Sequence, residues 1–403
     1  MSRARARPRL GILSTHPIQY QVPWFRALAQ VVDLQVFFSH QATSADQASS
    51  EFGVAFEWDV PLLDGYSSTF LINRARKPDL ASFAGCDTPE LAGLVRHGRF
   101  DAFLVNGWYT RSYWQAMRAC WQSGTPLLVR GDSQLLTQRS QLKRLLKAVA
   151  YRGFIPHFAA YLVVGQRARS YYLHYGAAQS RMFFAPHSVD NAYFNVAAHA
   201  LRAQRAAIRA QWGLPEQAVV CLFAGKLVAR KRPADVIQAL ADAGRTRPQL
   251  WGLVVGAGPQ RAELEALARQ LGARVRFVGF LNQSAMPSAY AVADSLVLPS
   301  DASETWGLVV NEAMAAGIPA IVSDQVGCAP DLVLSGQTGD QFTMGDQRQL
   351  AAQLAALTDN PARRVAMGRA AARHIQRYAL HATVAGTLAA ISAVGASHRL
   401  PGR

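Results

Sequence analysis

The feature that most constrains this chain is a repeated alternation. Short runs of Val, Leu, Ile and Phe, bounded by turn residues, are each followed by a longer stretch with apolar residues at helical spacing. In the first half the runs are Leu10 to Ser14, Leu34 to Phe38, Phe103 to Asn106, Leu127 to Val129 and Tyr161 to Val164. In the second they are Val219 to Ala224, Leu250 to Val255, Val275 to Val278, Ser295 to Leu298 and Ala320 to Val322. Runs without a polar face suit strands covered on both sides, and strand–helix alternation gives a parallel sheet between helical layers. Pro23 to Gln30 and Pro259 to Leu271 read as two of the helices, the second closed by Gly272 in a left-handed cap. Gln41 to Pro89, rich in Ser, Asp, Gly and Pro, reads as loops with a small insertion.

With 403 residues, the chain is long enough for two or three domains. The Ala/Arg-rich helical segment Ala197 to Trp212, closed by Gly213, Leu214 and Pro215, is the natural boundary. This predicts a domain over 1–200 and another over 201–403, both α/β and doubly wound, with the last helices, about 375–395, packing back on the first. Two such domains facing each other leave a cleft at the carboxyl ends of their strands, where open parallel sheets bind ligands. Hydrophobic residues at 50% and charged residues at 17% exclude a disordered or collagen-like chain. Cys86, Cys120, Cys221 and Cys328 are too scattered for a disulfide scaffold or a zinc site, so a reducing compartment is expected. The start carries Arg3, Arg5, Arg7 and Arg9, but the apolar run after it is too short for a signal core. No window reads as a bilayer span. A cytoplasmic location, peripheral at the membrane at most, is the expectation. The net charge of +16 points to anionic partners, among which nucleic acid, a phosphate-bearing small molecule and an anionic membrane all fit.

Three segments narrow the choice. In Ser303 to Pro319, SETWGLVVNEAMAAGIP, Glu304 lies in a loop and Glu312 within an otherwise apolar helix. If that helix starts near Gly307, the amides of Gly307, Leu308 and Val309, next to Trp306, can receive a phosphate. Glu312, about 7 Å further along at 1.5 Å per residue, can then accept hydrogen bonds from paired hydroxyls such as those of a ribose, and Glu304 can reach a sugar on the other side. In Phe223 to Pro233, FAGKLVARKRP, a strand ends at Gly225 and is followed by Lys226, Arg230, Lys231 and Arg232, a loop able to neutralise a diphosphate. In Val255 to Pro259, VGAGP, Gly256 and Gly258 let the chain pass near a ligand. A loop acid, a satisfied helix glutamate and a solvated basic loop are the bland alternatives.

The set GKLVARK, VVGAGP, RFVGFLNQ, LVLPSDASETWGLVVNEAMAAGIPAIVSD and SGQTGDQF, in this order and spacing, resembles the donor-binding half of glycosyltransferase family 4. The likeness runs from about Val219 to Arg377, with a weaker echo in Ala185 to Phe194, APHSVDNAYF. It implies the GT-B fold of two Rossmann-like domains and a retaining transfer from a nucleotide sugar, with Lys226 and Lys231 on the diphosphate, Glu304 on the transferred sugar and Glu312 on the ribose.

The first half departs from the family pattern. Its first loop, Thr15 to Tyr20, lacks the glycines many members carry, and Leu127 to Val129 is followed by Arg130, Gly131 and Asp132 where members often place a histidine. Asp132 is therefore the candidate for the polar catalytic position, His16 for contact with the reacting sugar or acceptor, and Asn106, Trp108 and Tyr109 for the acceptor pocket. A turn acid, a loop histidine and packing aromatics are the competing readings. No Asp-x-Asp triplet occurs, so cationic side chains and a helix terminus are expected to replace a metal, and no cofactor is expected.

Arg139 to Phe154, RSQLKRLLKAVAYRGF, places Leu142, Leu145, Leu146 and Val149 on one face among basic residues. It reads either as a solvated helix over the core or as a face for anionic lipid, which a lipid-linked acceptor would explain. The expected activity is transfer of a sugar from a nucleoside diphosphate sugar to an acceptor glycan or lipid-linked sugar, as in cell-surface polysaccharide or glycolipid synthesis. The rivals are an epimerase or phosphorylase of the same fold, and a nucleic-acid-binding protein, which lacks support because the sequence shows no recognised module and its aromatic residues are not interleaved with the basic runs.

Overall fold

The computed structural model describes residues 7–41, 56–137 and 140–399. Arg3, Arg5 and Arg139 lie outside them. The chain divides into two compact units. One takes in the described residues of Met1–Thr43, Pro61–His187 and Leu380–Arg403, the other those of Ser44–Val60 and Ser188–Ala379.

The first unit is built on seven strands: β1 (Arg9–Ser14), β2 (Asp33–Phe38), β3 (Ser67–Phe70), β4 (Ala102–Val105), β5 (Leu127–Gly131), β6 (Ala160–Val163) and β7 (Met182–Phe184). All pair in parallel, in the order β3-β2-β1-β4-β5-β6-β7. One sheet face packs Phe103, Met117, Tyr161 and Tyr172. The other packs Leu10, Ile12, Trp24, Phe25, Leu104 and Leu162, together with Ala390, Ile391 and Val394 of the last helix, Leu380–Arg399.

The second unit has six strands: β8 (Val219–Ala224), β9 (Leu250–Val255), β10 (Val275–Gly279), β11 (Ser295–Leu298), β12 (Ala320–Ser323) and β13 (Gly339–Phe342). They form a parallel sheet of order β10-β9-β8-β11-β12-β13. Phe223, Leu240, Leu264, Phe342 and Leu354 lie at the centre of its core. In each sheet the order reverses beside the first strand, between β1 and β4 and between β8 and β11, so each has a crevice there at its strands' carboxyl ends.

The structure adds strands β7 and β13, which the apolar runs did not include, and differs from the sequence reading elsewhere as follows. The helix Asn191–Leu201 belongs to the second unit, so the chain passes from one unit to the other at His187 and Ser188, ahead of 200/201. The reason is packing: Phe194 is buried with its ring 5.9 Å from Tyr290, and Asn195 donates to the Ala315 carbonyl at 2.9 Å. Gln41 to Pro89 contains strand β3, and its Phe56 to Val60 stretch lies on the second unit. There the Phe56 ring is 4.5 Å from Phe280, and Asn282 donates to the Glu57 carbonyl at 2.7 Å. The tail Pro361–Ala396 meets the length and hydropathy of a bilayer span, contrary to the expectation of none. It is broken by a 3-10 turn at Ile375–Tyr378, and Thr383, Thr387 and Ala390 beyond the turn are fully buried, as in a core helix.

Candidate functional site

In the second unit the loops after β8, β9 and β10 are laced together. Gly225 N–H donates to Val255 O (3.0 Å), Leu227 N–H to Ala257 O (2.9 Å) and Gly256 N–H to Gly279 O (2.7 Å). Gly256 (φ 138°) and Gly258 (φ 155°) take backbone conformations that side chains rarely adopt. A Cβ on Gly256 would stand 1.9 Å from the Gly225 carbonyl oxygen, and one on Gly258 2.5 Å from that of Leu227. These glycines are thus fixed by the approach of backbone to backbone, which places Gly225 and Lys226 beside the β9 turn.

The same loop meets the segment after β11, where Asp301 N–H donates to Arg230 O at 3.0 Å and Lys231 is ion-paired with Glu304. Both members of the pair are largely enclosed, at 15% side-chain exposure each. Arg232 is turned away and bonds Asp235 at 2.6 Å. Glu304 is held by its own backbone, its carbonyl accepting from Gly327 N–H at 2.9 Å. Gly307 (φ 98°) caps the helix Leu308–Ala315, leaving the first amides of that helix at the carboxyl end of the sheet.

Glu312 sits one turn into this helix and is 9% exposed. It accepts a 2.6 Å hydrogen bond from the Tyr290 hydroxyl, and burial pushes its carboxyl up to about 7 against the pull of that bond. Tyr290, from the helix Met286–Val292, was not evident in the sequence because it sits in an unremarkable Ala-rich stretch. Trp306 is corrected as a donor-site side chain: it is 4% exposed, and its indole N–H donates to Asn311 Oδ1 at 2.8 Å, so its contribution is structural.

In the first unit a cavity opens at the carboxyl ends of β1, β4 and β5, lined among others by Thr15, Tyr20, Asn106, Tyr109, Arg130 and Asp132, with His187 below. Asn106 donates to Ser14 Oγ at 2.7 Å. Tyr109 stands half exposed at the rim. Trp108 does not line the cavity: it turns into the aromatic core, its indole N–H donating to the Tyr151 hydroxyl at 3.1 Å and its ring lying 5.7 Å from that of Tyr151 and 5.6 Å from Phe154. His16 is not a lining residue either; its Nδ1 lies 3.0 Å from Thr15 Oγ1. Asp132 does line the cavity, with His187 Nε2 3.4 Å from its Oδ2. In this cavity Arg130 and His187 are residues the sequence reading missed, as it missed Tyr290 in the second unit. The signal for Arg130 was an arginine closing the apolar run LLVR, which a buried strand does not carry without a use.

Among the described residues, no group of three or more His, Cys, Asp and Glu side chains converges as a metal site would.

Comparison with known proteins then bears on the second unit directly. Residues 204–374 match the family model for Glycosyl transferases group 1. That stretch contains Gly225, Lys226, Lys231, Gly256, Gly258, Glu304, Gly307 and Glu312. The D-inositol 3-phosphate glycosyltransferase of Streptomyces coelicolor is 36% identical over 206 residues, covering 48% of this chain and 45% of that protein. The corresponding protein of Kineococcus radiotolerans is 34% identical over 234 residues, covering 53% and 52%. The chain spans about half the length of these curated relatives. Among solved structures, Anabaena HepE in complex with UDP aligns with a TM-score of 0.72 at 18% identity, covering 96% of this chain and 99% of HepE. Sucrose-phosphate synthase of Thermosynechococcus elongatus aligns at 0.69 and 20% identity, covering 97% and 100%. The fold is GT-B.

Proposed function

We propose that the protein is a glycosyltransferase that takes a sugar from a nucleoside diphosphate donor held by the second unit and moves it to a hydroxyl of an acceptor held by the first. One observation carries the reading: Lys231 is ion-paired with Glu304 where the sheet order reverses, beside the capped helix Leu308–Ala315, inside the stretch that matches the family model. Lys226, Lys231 and the amides of Gly307, Leu308 and Val309 bind the diphosphate, Glu304 the transferred sugar and Glu312 the ribose. Anabaena HepE, solved with UDP, supports a nucleotide in a fold of this kind. The D-inositol 3-phosphate glycosyltransferases support a polyhydroxylated acceptor, for which the cavity containing Asn106, Tyr109 and Asp132 is suited.

In the reaction the acceptor oxygen bonds the anomeric carbon, the bond from that carbon to the diphosphate oxygen breaks, and the nucleoside diphosphate leaves with the electron pair. The acceptor's proton passes to the leaving oxygen, which retention puts on the acceptor's own face. Asp132 holds the acceptor by its hydroxyls. Cationic groups already in place stabilise the charge on the leaving diphosphate, so the reaction runs without a metal ion. Retention and membership of family 4 rest on the motif likeness. Cell-surface glycan or glycolipid synthesis in the cytoplasm is the setting that fits such a donor.

The helix Gln141–Phe154 supports an anionic lipid surface as a partner. None of its residues is buried, and Leu142, Leu145, Leu146 and Val149 are 62–69% exposed next to Lys143, Arg144 and Arg152. Lys147 is instead turned onto the Tyr171 and Tyr175 rings, at 4.8 and 5.5 Å. Such a face suits insertion among acidic headgroups.

The test is a thermal-shift panel of UDP-glucose, UDP-galactose, UDP-N-acetylglucosamine, GDP-mannose and ADP-glucose. A ligand at a hundredfold excess over its Kd adds about 3 kcal/mol of stability, a shift of several degrees. A flat response to every nucleotide sugar and its diphosphate contradicts the proposal. Donor incubated alone with conversion of its sugar, instead of slow hydrolysis, makes the enzyme an epimerase.

A further inference from the structure

The floor of the first unit's cavity holds a buried polar chain. Arg130, 5% exposed, packs its guanidinium 4.7 Å from the Trp24 ring and donates to the Pro186 carbonyl at 3.0 Å. The same carbonyl accepts from Thr383 at 2.9 Å, so the last helix fixes the segment that carries His187. Arg130 also stands 3.3 Å from His187 Nδ1. A guanidinium can only donate, so Nδ1 must present its lone pair, and a neutral His187 carries its proton on Nε2. Nε2 is 3.4 Å from Asp132 Oδ2.

We propose that Arg130 and His187 are positioning residues for Asp132: Arg130 fixes the Nε2–H tautomer of His187, and that N–H orients the Asp132 carboxylate toward the acceptor without neutralising it. Burial and the Arg130 charge both hold His187 below the ordinary histidine value, outweighing the pull of Asp132. Tyr20 also lies against the ring, edge-on at 5.8 Å, and burial pushes its hydroxyl up to about 12. Tyr20 therefore stays neutral through the working range. A protonated His187 would place a second cation against Arg130 and tie up the carboxylate in an ion pair. The tautomer lock prevents both. The proposal rests on the reading of this cavity as the acceptor site.

The lock is read without any ligand, by nitrogen-15 NMR of histidine-labelled protein, with His187→Gln assigning the signal. The expected spectrum at pH 6, where an ordinary histidine near 6.5 is mostly charged, is a neutral ring protonated on Nε2. Arg130→Met, which keeps the packing against Trp24, should let His187 take up a proton at that pH. A wild-type ring that is charged at pH 6, or protonated on Nδ1, overturns the proposal whatever the variants do. The second readout is hydrolysis of UDP-glucose with UDP affinity measured alongside. His187→Phe should slow hydrolysis roughly 100-fold with UDP affinity unchanged, and His187→Gln, which keeps an N–H donor, should restore most of it. Loss in Asp132→Asn but not in His187→Phe overturns the relay. Full hydrolysis in Asp132→Asn instead removes the acceptor-site reading beneath it.

Discussion

At the residue scale the most informative group is Glu312, a carboxylate that burial pushes up to about 7 in the folded chain. Because its folded value lies above the unfolded one, Glu312's contribution to stability is fully present below about 4.5 and is lost as pH rises toward 7, after which the loss is constant. The size is on the order of 3 kcal/mol at ~1.4 kcal/mol per unit. Glu312→Gln should remove this dependence, so melting curves at pH 5 and 8 should differ less in the variant than in the wild type. A ribose diol donates to the charged form, so nucleotide binding at pH 6 should release a proton, seen by calorimetry in buffers of different ionisation enthalpy. The same variant should bind nucleotide about 10- to 100-fold more weakly. Glu312 and Lys231 were legible in the sequence because charge in an apolar helix and charge after a buried strand both demand a partner. Trp108 and Trp306 misled for the opposite reason: an aromatic in a loop beyond a strand reads the same whether it faces a ligand or the interior, and both are turned inward here.

At the element scale the second unit's strands were read closely because buried parallel strands are apolar on both faces. Strands β3 (SSTF), β7 (MFF) and β13 (GDQF) were not: all three are edge strands that pair on one side only, β3 and β13 carry polar residues that imitate a loop, and β7 is only three residues long. The glycine turn after β9 is the element where sequence and packing agree most tightly. Gly256→Ala puts a methyl 1.9 Å from a carbonyl oxygen that no side-chain rotation can move. The expected result is a melting temperature lowered by several degrees and a loss of nucleotide binding, because the loop carrying Lys226 must shift. The helix Gln141–Phe154 gives the opposite pattern. Leu142→Ser with Leu145→Ser should leave the melting temperature within a degree or two, since neither side chain is buried. It should abolish co-sedimentation with phosphatidylglycerol vesicles. Wild-type protein that fails to pellet with these vesicles at low salt contradicts the membrane face.

At the scale of the whole molecule, the net charge of +16 is distributed over a chain whose ligands are expected to be anionic. The strand–helix alternation made both sheets legible. The return of the last helix, Leu380–Arg399, to the first unit was legible too, but the placement of Phe56 and of Asn191–Leu201 on the second was not, because it depends on long-range packing that no local pattern encodes. If cationic side chains take the place of a metal, EDTA should leave sugar transfer unchanged. Activity that vanishes in EDTA and returns with a divalent ion contradicts that part of the proposal. The most direct measurement is calorimetric titration of UDP, GDP and ADP, each against its monophosphate, into wild type and Lys231→Ala. The account predicts that the nucleoside diphosphate that binds wild type loses at least about tenfold in affinity in the variant, or ~1.4 kcal/mol, with its monophosphate much less affected and folding intact. Equal affinities of the two folded proteins for every diphosphate would contradict it.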